Sequence, residues 1–174
     1  MGSVGSGYKK DDHVDIYMEL SKPFYMAGER VEGNSYVNCH SDSEYNGVYI
    51  KLEEEEYCYW EEHESDGDGH SRTRHCRAHV KTYEDQFIVA RFENIIYNGQ
   101  YSFPFSFDLP VSLPGSFYMG SHNYIRYPFQ CFLLCSPRKN DNQPFMMYLN
   151  VRERPKAPPG AIIGENLTQN RCCG

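Results

Sequence analysis

Residues 101–117 read YSFPFSFDLPVSLPGSF, and the first half of that stretch alternates strictly. Tyr101, Phe103, Phe105, Phe107 and Leu109 occupy every second position, with Ser102, Pro104, Ser106 and Asp108 between them. Successive side chains leave opposite faces of an extended strand, so five apolar groups are predicted to line one face. Pro104 has no N–H to give to a ladder, which predicts a sheet edge or a bulge at that point. Pro110 and Pro114 end the strand, and Gly115 turns the chain.

The same period runs outward from this stretch. Val14, Ile16, Met18 and Leu20 alternate with Asp15, Tyr17 and Glu19 and form a first strand; Pro23 and Gly28 mark a loop. Val31 to Cys39 reads as a second strand. Val48, Ile50 and Leu52 share one face of a third, which runs on through Cys58 and Trp60. The cluster SDGDGHS, Ser65 to Ser71, is a turn. A fourth strand follows from about Arg72 to Tyr83. The apolar run from Phe87 to Phe92 fits a strand or one short helix, and its periodicity does not decide between them. Tyr124 to Cys135 is a nearly unbroken apolar strand, predicted to be buried on both faces. Met147, Leu149 and Val151 mark a last strand, and Pro155, Pro158, Pro159 and Gly160 an extended linker. About eight short strands with turns between them predict an antiparallel β-sandwich.

The chain has 174 residues, enough for one domain that buries about 70% of its unfolded surface. Aromatics make up 15% of it, with 15 Tyr and 10 Phe, which favours strands. A net charge of -7 argues against a general nucleic-acid or membrane-surface binder. No run of apolar residues is long enough for a spanning helix. MGSVGSGYKKDD, residues 1–12, lacks an apolar signal core and reads as a flexible arm. Cys39, Cys58, Cys76, Cys131, Cys135, Cys172 and Cys173 are odd in number and irregular in spacing, as expected of reduced thiols in the cytosol. An extracellular sandwich with disulfides is the contrary reading, and a count of free thiols in denaturant separates the two.

Charge is patterned most sharply between Glu53 and Lys81. From Glu53 to Asp68 there are nine acids and no Lys or Arg; from Arg72 to Lys81 the sign reverses with Arg72, Arg74, Arg77 and Lys81. In a hairpin turning near Gly67 and Gly69 the two arms face each other and neutralise one another across strands. The functional reading of the same pattern is a docking surface for a charged partner tail. His70, His75, Cys76 and His79 are zinc-type ligands, but on a strand His75 and His79 share a face while Cys76 points away, a poor geometry for one metal. A metal- or ligand-binding module using the hairpin 70–79 is therefore the alternative function, not the main one. Asp66-Gly67-Asp68-Gly69 lacks the distal glutamate and flanking helices of a calcium loop and reads as turn chemistry. Ser116 lies in PGSF rather than a nucleophile elbow, and Cys131 and Cys135 read as core thiols, so no enzyme is expected.

Two segments carry a family resemblance. LSKPFYMAGERVEGNSYV, residues 20–37, and the pair FPFSFDLP and LPGSF resemble the N-terminal domain of arrestins, most closely its alpha-arrestin branch. Tyr25, Gly28, Glu29, Val31 and Gly33 hold the family positions, the glycines letting the chain bend sharply at the edge of the first sheet. The resemblance implies an all-β, antiparallel immunoglobulin-like β-sandwich over residues 13–155, with residues 156–174 leading towards a second lobe. It also implies a non-enzymatic adaptor or scaffold in membrane-protein trafficking, without a cofactor and monomeric by itself. Its partners would be cytoplasmic tails of membrane proteins or other trafficking proteins, and it would be cytoplasmic, reaching endosomal or plasma membranes through them. An arrestin-like subunit of a retromer-type coat is a related reading of the same fold.

The resemblance also suggests residues. In phosphoreceptor-binding arrestins a lysine pair near the N-terminus contacts receptor phosphates; Lys9 and Lys10 match it in place but precede Asp11 and Asp12, which repel an anion. The arginine at the centre of those proteins' buried charged core would fall near Met147 or Tyr148, and neither Arg152 nor Arg154 replaces it, which puts phosphate-triggered activation in doubt. No Pro-Pro-x-Tyr motif for ligase recruitment is present; Pro158-Pro159 is followed by Gly160-Ala161. The partner-binding candidates are therefore Lys9, Lys10, Arg72, Arg74, Arg77 and Lys81, with no catalytic or metal residue among them.

Overall fold

A computed structural model describes residues 13–65, 71–120, 122–135 and 144–154. The arm 1–12 with Lys9 and Lys10, the tip 66–70 with His70, and the linker 156–174 lie outside the described residues. The described chain is all strand, in ten elements: β1 Val14–Leu20, β2 Tyr25–Met26, β3 Arg30–Cys39, β4 Tyr45–Ser65, β5 Ser71–Arg91, β6 Gly99–Asp108, β7 Phe117–Met119, β8 Asn123–Cys135, β9 Phe145–Leu149 and β10 Val151–Arg152.

They form two facing antiparallel sheets, the first in the order β1-β3-β6 and the second β5-β4-β8-β7, with β9 also paired to β8. A short parallel pair, β10 on β2, ties the end of the described chain to its beginning. The decisive alternation of β6 is obeyed: Phe107 and Leu109 are buried, Tyr101, Phe103 and Phe105 partly so, and the residues between Tyr101 and Leu109 that alternate with them are exposed. Pro104 lies opposite Asn34 on an edge strand of the first sheet, one of its two predicted settings.

The core is a layer of rings and aliphatic groups between the sheets. Phe107 of β6 stacks on Phe87 of β5 with centroids 4.5 Å apart, and Phe105 and Phe107 pack on Phe129 of β8 at 5.9 and 5.7 Å. Ring pairs at such separations add about 0.5–1.5 kcal/mol beyond the area they bury. Cys131 is buried here as the core thiol it was predicted to be, Cys39 is buried as well, and the Cys135 side chain lies outside the described residues; burial pushes Cys39 up to about 11 and Cys131 up to about 12, so the reactive thiolate is suppressed.

Several local readings change. β5 is one continuous strand, so the run from Phe87 is not a helix; the partner of Val48 is Ala90 and that of Tyr49 is Ile88, and the bulge at Val89 is what blurs the period. β8 is fully buried on the face carrying Tyr127, Phe129, Cys131 and Leu133, whereas Gln130, Phe132 and Leu134 on the other face are only partly covered. The last predicted strand divides: Leu149 pairs with β8 and Val151 with β2. Gly28 does turn the chain, with φ of 76°. Gly33 makes no bend; it lies inside β3, between Leu20 of β1 and Phe105 of β6.

A candidate partner-binding hairpin

β4 and β5 have 21 residues each, against 7 to 10 in the three strands of the facing sheet. At about 3.3 Å per residue the hairpin is roughly 70 Å long and the opposing strands only about 33 Å at most. Burial follows from that difference. β4 is buried or partly buried from Tyr45 to Tyr57, and every residue from Glu61 to Ser65 is exposed. Along β5, all residues from Ser71 to Thr82 except Cys76 are exposed. The distal hairpin thus has two accessible faces.

The outward face carries a ladder of rings and cations. Tyr57 stacks on Tyr124 at 5.5 Å and meets His79 edge-on at 6.1 Å; Tyr59 stacks on His75 at 6.1 Å. The Arg126 guanidinium lies 4.3 Å above the Tyr124 ring and 5.2 Å from that of Tyr148, within cation–π range. At its base an ion-pair network crosses three strands. Lys81 reaches Glu53 at 2.7 Å, Lys51 reaches Glu53 at 3.1 Å and Glu84 at 3.2 Å, and Arg126 reaches Glu55 at 2.7 Å. Burial opposes ionisation of Glu53, but the hydrogen bonds from Lys81 and Lys51 outweigh it and hold the carboxyl below its ordinary value.

The inward face is different. Glu54 and Glu56 continue the core row of Val48, Ile50 and Leu52, and Glu54 is only 3% exposed. Burial first, then the like charge of Glu56, raise the Glu54 carboxyl, with a Thr82 hydrogen bond opposing. Beyond it, Cys58, Ala78, Val80, Phe117 and Ile125 line an open groove of 240 Å³. Val80 and Phe117 are each 49% exposed.

Because the Glu54 carboxyl is raised in the fold relative to the unfolded chain, its ionised form is penalised there. That penalty is present above the folded pKa and is relieved as pH falls through it. Glu54→Gln is therefore expected to raise the melting temperature at about pH 8, with the gain shrinking towards about pH 4, where the carboxyl is already protonated. Thermal melts of both proteins across this range check it, and a gain independent of pH would refute it.

The predicted charged residues separate in space. Lys81 is held by Glu53 and Glu55 on the outward face. Arg77 faces outward opposite Tyr59, whereas Arg74 and Arg72 lie opposite Glu62 and Glu64 on the inward side. None of these three arginines forms an ion pair among the described residues. His75 and His79 share the outward face while Cys76 is in register with Trp60 on the other, and no three His, Cys, Asp or Glu among the described residues converge on one point. Tyr59 donates to Glu61 at 2.9 Å and contacts His75 at 2.6 Å, but the hydrogen bond to Glu61, then burial, hold its hydroxyl above its ordinary value, so it is not activated as a base. Sequence reasoning missed Arg126, Phe117 and Val80. A lone arginine in the apolar run of β8 was a usable signal for the first; the other two depend on which strands lie beside them.

Residues 14–152 match the arrestin (or S-antigen) N-terminal domain family. The chain is similar to arrestin domain-containing protein 17 of Caenorhabditis elegans, 28% identical over 136 residues that cover 71% of this chain and 30% of that protein. It is also similar to arrestin domain-containing protein A of Dictyostelium discoideum, 27% identical over 118 residues that cover 64% of this chain and 20% of that one. The chain thus spans less than a third of the length of either curated relative. Among solved structures, the sporulation control protein Spo0M of Bacillus subtilis superposes with a TM-score of 0.55 at 19% identity, covering 82% of this chain and 50% of the other, a likeness of fold alone.

Proposed function

The chain belongs to the arrestin family through its N-terminal domain, and from that membership we propose that it is a non-enzymatic adaptor in membrane-protein trafficking whose docking element is the β4–β5 hairpin. One observation carries the reading: the distal hairpin leaves the sandwich with both faces accessible, and it presents rings and exposed arginines that form no ion pair among the described residues. Trp60, Tyr118 and Met119 are 42%, 58% and 62% exposed around it, the aromatic and methionine character that recognition surfaces favour. Arg72, Arg74 and Arg77 steer a partner segment and Lys81 holds the base of the hairpin rigid. Lys9 and Lys10, outside the described residues, are proposed as further partner contacts. The partners are cytoplasmic tails of membrane proteins, met in the cytoplasm at endosomal or plasma membranes, with the chain itself a monomer. Among the described residues no helix is long and apolar enough to cross a membrane.

The test shortens the hairpin. Cys58 and Ala78 are partners in register, so residues 59–77 can be replaced by a two-residue Asn-Gly turn. The shortened protein is expected to melt within a few degrees of the parent and to lose at least about tenfold in affinity for an array of membrane-protein cytoplasmic tails, about 1.4 kcal/mol. Unchanged capture by the shortened protein overturns the proposal.

A further inference from the structure

We propose that the groove at the base of the hairpin, floored by Glu56 and walled by Val80, Phe117 and Ile125, receives a lysine or arginine side chain carried on an extended segment of a partner polypeptide. This rests on the reading of the hairpin as a docking element and supplies the chemistry of its partner.

The argument starts from four consecutive glutamates whose side chains alternate between two faces. The outward pair, Glu53 and Glu55, has counter-charges within the chain: Lys51, Lys81 and Arg126. The inward pair, Glu54 and Glu56, forms no ion pair among the described residues. Glu54 is nevertheless among the most buried polar groups of the described chain. Burying an acid without a counter-charge is costly, and removing water from one that a partner cation then meets is far less so.

The groups around this pair are apolar or neutral. Thr82 and Tyr83 belong to β5, and Tyr127 of β8 is raised by burial and by both carboxylates, so it stays a neutral phenol donating to the Pro114 carbonyl at 2.6 Å.

The groove's shape suits the same occupant. Its volume of 240 Å³ is small, and its walls are the exposed flanks of Val80 and Phe117 and the partly buried Ile125. Lysine and arginine carry a long aliphatic stem under a charged head, so the stem covers the apolar walls while the head meets Glu56. An acidic or phosphorylated segment would place its charge against two uncompensated carboxylates. Cytoplasmic segments beside membrane spans carry an excess of Lys and Arg, so the proposed partner class offers the required side chain.

The probe is a fluorescein-labelled peptide, GSLRVRLSG, compared with its counterpart in which citrulline replaces arginine, a neutral group of nearly the same shape. Fluorescence anisotropy is expected to show binding of the arginine peptide at least about tenfold tighter than the citrulline one. Amide shifts in NMR should concentrate at Glu56, Val80, Phe117 and Ile125. Glu56→Gln should erase the difference between peptides, while Glu61→Gln on the distal hairpin should leave it intact. Glu54→Gln, which relieves a buried charge and so keeps the fold, should weaken arginine-peptide binding as well. Equal binding of the two peptides, discrimination that persists in Glu56→Gln, or the same amide shifts produced by calcium chloride alone would overturn the inference. The hairpin shortened between Cys58 and Ala78 keeps the groove, so it should still discriminate the peptides even though it has lost tail capture. Failure of the docking reading and failure of the groove are in this way separate results.

Discussion

Phe129→Ala is expected to lower the free energy of unfolding by about 3–5 kcal/mol. Phe129 is fully buried at the centre of the second sheet, and the rings of Phe105 and Phe107 reach it from the first. Removing it takes away apolar area and leaves a void between two sheets that cannot close without breaking their registers. A loss of that size is a large part of the about 5–15 kcal/mol that holds a typical domain together, so the variant should unfold at much lower urea. Phe117→Ala is the control: the same chemical change on a half-exposed residue should cost under about 1 kcal/mol. Equal losses in the two would mean that the sheets do not face each other through this ring.

Gly33→Ala carries the second large effect, and its sign is informative. Propensity alone favours the change, since glycine inside a strand costs about 0.5–1 kcal/mol relative to alanine. The packing forbids it. A Cβ at residue 33 would lie 2.3 Å from the backbone carbonyl oxygen of Glu19 and 2.6 Å from the Phe105 ring. The ring can yield, but the carbonyl belongs to a strand hydrogen-bonded along its length to β3. A destabilisation of about 1–3 kcal/mol is expected, measured by urea unfolding. Adding Phe105→Leu should recover only the part due to the ring. A stabilised Gly33→Ala protein would show that β1 and β6 do not close on this residue.

Much of this fold could be read from residue order. The alternation at Tyr101–Leu109 and Val14–Leu20 and the proline on an edge are local properties of an extended backbone, and each took its predicted place, whereas the turn expected at Gly115 comes earlier, at Val111–Ser112. The run from Phe87 resisted reading because the bulge at Val89 breaks the period on which the reading depends. β2, β7 and β10 have 2, 3 and 2 residues, too short for any pattern to form, and they exist because a neighbour supplies the hydrogen bonds. For the hairpin, the order of charges foretold that its arms would face each other. It did not foretell that Lys81 would be consumed by Glu53 and Glu55 while Arg72, Arg74 and Arg77 form no ion pair among the described residues.

The amino-acid order alone settled which side chains share a face, because the strand period of two is carried by the backbone of each residue and needs no partner. Which faces are covered was settled only in three dimensions. Glu56 and Leu52 occupy the same row of the same strand, and one completes the core while the other brings a half-buried carboxyl to the lining of a groove. What separates them is the reach of a facing sheet whose strands are half as long as β4, and coverage of that kind is a relation between distant segments rather than a property of any one of them.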